Sequence, residues 1–218
     1  MFIDVNGIQM HYEIFGDGRP IILVHGNGES YKIFDKLIEK LKQKFRVYAI
    51  DSRCHGESED TKNITYELMT QDTIEFIKKL NIDKPILYGF SDGGIIGLMI
   101  AIKEPKLLSK LIISGAQLNP QGGTVYTRLI DKLVYFFTRK KLIGLMVKEP
   151  NINPNDLKNI EILVHVIAGE KDLIRLEHTK FITKNIPNST LKIVPKESHG
   201  SYVIHSEKLC EIIKDYIG

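Results

Sequence analysis

Residues 85–98 read PILYGFSDGGIIGL, which is an apolar run, a Gly-x-Ser-x-Gly pentapeptide and a second apolar run. The first run, Pro85–Phe90, is typical of a buried parallel strand, and the second, Gly93–Ile102, is apolar nearly all round, as a buried helix is. The pentapeptide between them predicts a sharp strand-to-helix turn, whose glycines let the chain pass close to itself. A serine at such a turn is held at the carboxyl end of the strand, so Ser91 is a candidate nucleophile.

Short β-branched runs alternate with longer amphipathic stretches along most of the chain. This alternation predicts an α/β fold with a mostly parallel central sheet and helices on both faces. The first two runs flank the turn residues 16–19 and predict a hairpin. The predicted strands are Ile8–Phe15, Pro20–His25, Phe45–Ile50, Pro85–Phe90, Leu111–Ser114, Ile162–Ala168 and Thr190–Val194. The predicted helices are Tyr31–Lys44, Thr65–Leu80, Gly93–Ile102, Glu177–Ile186 and Tyr202–Ile217.

The alternation stops between Gln117 and Ile160. We expect residues 1–116 and 161–218 to form the core and residues 117–160 to be a short cap inserted into it. The cap has seven Lys and Arg residues against three Asp and Glu residues, a net +4, which fits either a solvated surface or attraction of anionic substrates. Glu29 and Asp92, beside the candidate nucleophile, favour a cationic substrate group instead. Several apolar cap residues either pack the cap onto the core or line an acyl pocket: Leu129, Ile130, Leu133, Val134, Phe136, Phe137, Leu142, Leu145 and Met146.

Length and composition exclude several classes of protein. A chain of 218 residues fits one domain, and 43% hydrophobic with 26% charged residues excludes disordered and low-complexity classes. The net charge of +3 disfavours nucleic-acid binding. Two cysteines are too few for a disulfide framework or a Cys-based zinc site, and no export signal or membrane span is recognised, so we expect a cytoplasmic protein. No metal or cofactor motif occurs, and none is expected.

A serine nucleophile needs a base, an acid that orients the base, and donors for the oxyanion. His199 follows the last predicted strand, where catalytic groups of such sheets gather, and His55 is its competitor. Asp172 follows the strand Ile162–Ala168 and is the predicted acid, with Glu170 as the alternative. Four further histidines fall inside predicted elements or the hairpin: His11, His165, His178 and His205.

Two backbone N–H groups are predicted to bind the oxyanion. One belongs to Asp92, which directly follows the nucleophile at a helix amino terminus. The other belongs to Asn27, in the stretch His25-Gly26-Asn27-Gly28 after a central strand. The predicted active site is therefore Ser91, Asp172 and His199 with these two donors.

Together these motifs resemble the α/β-hydrolase superfamily, in particular its small-capped serine carboxylesterases, along nearly the whole chain. The stretch Asp51–Ser58, DSRCHGES, also looks like that family's D-x-R-G-x-G-x-S turn, with Cys54 in place of the usual glycine. Serine at position 91 disfavours the members that use an aspartate nucleophile, such as dehalogenases and epoxide hydrolases. The resemblance implies that the cap lies between the sixth and seventh core strands.

The expected function is hydrolysis of small carboxylic esters or thioesters through an acyl-enzyme on Ser91. The same triad also serves acyl transfer to another acceptor and hydrolysis of carbon–carbon bonds, because pocket shape decides between these reactions. A different class of function is a ligand-binding protein that keeps the hydrolase fold without turnover.

Overall fold

The computed structural model describes residues 1–218 and contains an eight-stranded sheet in the order β1-β2-β4-β3-β5-β6-β7-β8. The first two strands run antiparallel to their neighbours, and the other six form a parallel set. The α/β fold predicted from the alternation is therefore confirmed. The strands are β1 (Phe2–Val5), β2 (Ile8–Phe15), β3 (Arg19–Val24), β4 (Phe45–Ile50), β5 (Ile86–Phe90), β6 (Lys110–Ser114), β7 (Leu163–Lys171) and β8 (Ser189–Ser198).

The amino-terminal strands pair differently from the prediction. β2 does not form a hairpin with β3; it pairs with β4, and β4 separates the two. Residues 21–24 of β3 are completely buried, and a strand covered on both faces takes parallel neighbours on each side, here β4 and β5. The hairpin instead joins β1 to β2 through Asn6 and Gly7, both at positive φ. β1 was not among the predicted strands, although an Asn-Gly pair is typical of a hairpin turn.

The helices form two layers around the sheet. Side chains of α2, α3 and α6 enter one core cluster, and those of α1 and α7 enter the cluster on the opposite face. The helices are α1 (Asp35–Leu41), α2 (Tyr66–Lys79), α3 (Asp92–Lys103), α4 (Val125–Thr138), α5 (Lys141–Lys148), α6 (Leu176–Asn185) and α7 (Lys208–Ile217). None of them has both the length and the hydropathy needed to cross a bilayer.

Two predicted helices are shorter than their apolar periodicity suggested. The stretch predicted as a helix from Tyr31 begins as a 3-10 turn over Tyr31–Phe34, and α1 follows it. The closing helix begins at Lys208 rather than Tyr202, because the preceding residues form turns and His205 has a φ of 50°. Tyr202 and Val203 are nevertheless fully buried, which explains why the apolar pattern extended across the turn.

Segment 117–160 contains α4 and α5 between two 3-10 helices, Pro120–Gly122 and Pro154–Asn159. Of the two roles left open for the apolar cap residues, packing onto the core is not seen in α4, which has no buried residue. Its large apolar side chains are between 38% and 74% exposed: Val125, Tyr126, Leu129, Ile130, Leu133, Val134, Phe136 and Phe137. In α5, by contrast, Leu145 is buried in the core. The polar side of α4 therefore faces the protein body, and its apolar side faces outward.

Candidate active site

Ser91 occupies a strained turn between β5 and α3. Its φ of 52° and ψ of −111° are unfavourable for a residue with a side chain. The turn is held by two backbone hydrogen bonds, from Ser91 N–H to the Ser114 carbonyl (2.7 Å) and from Gly93 N–H to the His25 carbonyl (3.0 Å). A Cβ at Gly93 would overlap the Val24 carbonyl, so glycine is required there. Close packing of three strand ends thus maintains the strain at Ser91.

The structure brings Ser91, His199 and Asp172 into one hydrogen-bonded chain. His199 Nε2 lies 3.0 Å from Ser91 Oγ, and His199 Nδ1 lies 2.6 Å from Asp172 Oδ1. The Asp172 side chain is fully buried and accepts hydrogen bonds from the N–H groups of Gly169 (3.2 Å) and Ile174 (2.9 Å). A carboxylate fixed in this way holds the imidazole in the tautomer whose Nε2 can accept the serine proton.

The two alternatives from the sequence point elsewhere. Glu170 accepts a hydrogen bond from Lys196 N–H (2.7 Å) at the exposed edge of the sheet. His55 is buried beside His25, with ring centroids 5.1 Å apart, and its Nδ1 hydrogen-bonds the Arg53 carbonyl (2.9 Å). Neither side chain forms part of the chain of groups at Ser91.

Two contacts that position His199 were not found from sequence. Phe90 lies against the imidazole, with ring centroids 5.0 Å apart. Gly115, directly after β6, has a φ of 66°, and a Cβ on it would lie 2.5 Å from His199 Cε1. The glycine directly after a strand end was a visible signal, but no neighbouring residue indicates which side chain needs its space.

Asn27 and Asp92 present the two predicted oxyanion donors. The Asn27 N–H donates to no acceptor in the protein, and the Asp92 N–H opens α3, where no carbonyl of the helix lies four residues before it. The Asn27 loop is fixed by His25, whose Nε2 accepts from Ser52 N–H (3.0 Å) while its Nδ1 donates to the Gly26 carbonyl (2.8 Å). Burial, reinforced by the neighbouring His55, lowers the pKa of His25 to about 4 and keeps it neutral.

The carboxylate of Asp92 points into the protein. Its Oδ1 accepts from the Tyr66 hydroxyl (2.6 Å), and its Oδ2 accepts from Asn27 Nδ2 (3.0 Å). Burial raises the pKa of Asp92, although these two hydrogen bonds act in the opposite direction. Each oxygen thus accepts one hydrogen bond from the protein, and Asp92 also lines the cavity at Ser91, so the expectation of a cationic substrate group there stays a prediction. Tyr66, at the start of α2, carried no sequence signal for this role.

The turn Asp51–Ser58 contacts the Asn27 loop through the hydrogen bond from Ser52 N–H to His25, and side chains around the turn hold it in place. Asp51 accepts hydrogen bonds from His11 Nδ1 (2.9 Å) and from the N–H of Tyr31 (2.8 Å), and Arg53 forms a buried bidentate pair with Asp72 at 2.7 Å. Cys54 has a φ of 64°, which is the conformation that glycine adopts most easily.

A cavity of about 160 Å³ reaches Ser91 and His199 between α4 and the ends of the strands. Tyr66, Met146 and Leu173 contribute to its wall. From α4 it receives only polar residues: Thr127, Arg128, Asp131 and Lys132. A second, more open cavity also reaches Ser91 and is lined by residues that include Asn27, Glu29 and Ile204. The nucleophile therefore borders two cavities. No group of three or more His, Cys, Asp or Glu side chains is arranged to hold a metal ion.

Comparison with known proteins gives consistent results. A family model described as alpha/beta hydrolase fold matches residues 19–146. The serine hydrolase BPHL of Homo sapiens is 27% identical over 249 residues, covering 99% of this chain and 85% of that protein. Ethanol acetyltransferase 1 of Hanseniaspora uvarum is 36% identical over 176 residues, covering 80% of this chain and 46% of that protein. Among solved structures, the esterase EaEST from Exiguobacterium antarcticum has a TM-score of 0.87 at 21% identity, covering 99% of this chain and 98% of that one.

Proposed function

The chain belongs to the alpha/beta hydrolase family, and we propose that it is a serine hydrolase that cleaves small carboxylic esters or thioesters. The observation that carries the proposal is the hydrogen-bonded chain from Ser91 Oγ through His199 to the buried Asp172. We also propose that residues 1–116 and 161–218 form the hydrolase core and that residues 117–160 are its cap.

In the proposed reaction, His199 Nε2 takes the proton as Ser91 Oγ attacks the ester carbonyl carbon. The Asn27 and Asp92 N–H groups stabilise the negative charge that forms on the carbonyl oxygen. His199 then gives its proton to the leaving alcohol or thiol, and the acyl group stays on Ser91. Water, deprotonated by His199, then attacks the acyl carbon. The bond to Ser91 Oγ breaks, His199 returns the proton to Ser91 Oγ, and the acid is released.

Acyl transfer is the second candidate, because the chain is 36% identical to a relative named ethanol acetyltransferase 1 over 80% of its length. The two reactions share the acyl-enzyme and differ only in the acceptor that resolves it. Hydrolysis of an ester in the presence of ethanol separates them, since a transferase forms the ethyl ester in excess over the acid.

The proposal is tested by fluorophosphonate labelling and by hydrolysis of short p-nitrophenyl esters. Ser91→Ala should lose labelling and turnover together. Ser109→Ala is the matched control, because Ser109 directly precedes β6 and the active site lies at the other end of that strand. This variant should keep labelling and turnover. A folded native protein that neither labels nor turns over would exclude the serine-hydrolase mechanism and favour ligand binding without catalysis.

A further inference from the structure

Arg128 is held over the active-site cavity by the attachment of α4 to the loop that carries Asp172. Thr124 N–H donates to the Leu173 carbonyl and Arg175 N–H donates to the Gly122 carbonyl, both at 2.9 Å. Arg128 lies one turn into α4, its stem beside Gly123, and it lines the same cavity as Ser91. The arginine is thus positioned by the backbone contacts that also position the catalytic acid.

The guanidinium of Arg128 has no partner in the protein. It donates no hydrogen bond, and no carboxylate lies within 4.0 Å of it, although the residue is half-buried. Arg53, by comparison, donates hydrogen bonds from Nε and Nη2 to the two carboxylate oxygens of Asp72. An arginine has five N–H donors arranged to match a carboxylate, so the donors of Arg128 remain available to a ligand in the cavity.

The other charged groups on this wall leave it cationic. Lys132 adds a second positive charge near the edge of the cavity and also has no ion-pair partner. Asp131 is the one opposing carboxyl group that α4 contributes, so this helix presents two cations and one carboxyl group to the cavity. Asp92, at the base of the cavity, is already bonded to Tyr66 and Asn27.

Because the apolar side chains of α4 face outward, this wall offers little to a long acyl chain. We propose that Arg128 binds a carboxylate carried by the substrate, so that the enzyme selects short esters with an anionic end. This inference rests on the proposed function and names the substrate class of the same site.

The test is calorimetric binding to Ser91→Ala, which cannot turn the ligand over. The probes are monomethyl glutarate and methyl valerate, which are of similar length and differ by a carboxylate in place of a terminal methyl group. A charge-assisted hydrogen bond in a partly buried site should make the anionic ester bind at least about tenfold more tightly. Adding Arg128→Gln should abolish that preference.

Arg139→Gln is the matched control in the same background. Arg139 directly follows α4, and it stacks on the rings of Tyr135 and Phe136 and does not line the cavity. Its substitution should keep the preference. A preference that survives Arg128→Gln overturns the inference, and so does equal binding within this pair together with equal binding within the alcohol-side pair below. The result is independent of turnover, so failure of the proposed hydrolysis is recognised separately in the native chain.

An ester can also carry its anionic group on the alcohol side. The same comparison is therefore made with carboxymethyl butyrate and ethyl butyrate. A preference that depends on Arg128 in either pair supports the inference and shows which half of the ester enters beneath α4. Absence of such a preference in both pairs contradicts it.

Discussion

Gly115→Ala should lower the turnover number of ester hydrolysis about 100-fold while the protein remains folded. The added Cβ would lie 2.5 Å from His199 Cε1 and 2.8 Å from Nδ1, whereas ordinary contacts begin at 3.4 Å. The imidazole must therefore retreat by about 1 Å, and a displacement of that size in a catalytic group costs about two orders of magnitude in rate.

Gly7→Ala is the matched control for the backbone conformation. Gly7 has a φ of 72°, close to the 66° of Gly115, but nothing lies within 4 Å of the position of its Cβ. Both variants should lose about 1–2 kcal/mol of unfolding free energy, because alanine is disfavoured at positive φ. Only Gly115→Ala should lose catalysis.

The assay combines urea denaturation with initial rates on p-nitrophenyl acetate and with the rate of fluorophosphonate labelling. Labelling should slow in parallel with hydrolysis, since both need His199 to activate Ser91. If folded Gly115→Ala hydrolyses the ester within roughly threefold of the native rate, the imidazole has not been displaced from its working position and the reasoning is refuted.

Three further predictions concern stability, and urea denaturation measures each of them. Tyr66→Phe should cost about 1–3 kcal/mol, because a buried oxygen of Asp92 loses its donor; an unchanged midpoint would contradict this. The pKa of His25 is about 4 in the folded protein and 6.5 in the unfolded chain. Below pH 6.5 the unfolded chain therefore binds a proton that the folded protein does not, and about 3 kcal/mol of unfolding free energy is lost as the pH falls from 6.5 to 4. His25→Asn should flatten that pH dependence. Asp72→Asn leaves Arg53 buried without its counter-charge and should cost about 3–5 kcal/mol, against a negligible effect of the exposed control Asp83→Asn.

The strand-to-helix turn at Ser91 was predictable because its requirements are local. A buried strand, glycines that avoid overlap and a buried helix all lie within residues 85–102. The placement of His199 and Asp172 also followed from sequence, since both come directly after strands whose ends meet at one edge of a sheet. Their roles in catalysis stay predictions that the variants above test.

The orientation of α4 was not predictable from its sequence. Apolar periodicity identifies two faces of a helix, but which face meets the protein depends on where the helix ends are tied. Here the Thr124 and Gly122 bonds to the Asp172 loop turn the polar face inward. The role of Gly115 was missed for a similar reason, because the side chain that needs its space lies 84 positions further along the chain.

The absence of buried side chains on α4 also has a consequence for motion. Opening this helix exposes little additional apolar surface, so it costs far less free energy than opening the sheet beneath it. We therefore expect the amide hydrogens of α4 to exchange with solvent through local fluctuations, and those of β5 and β6 to exchange only on global unfolding. Such a fluctuation would leave undisturbed the strand ends that hold Ser91, Asp172 and His199 in place.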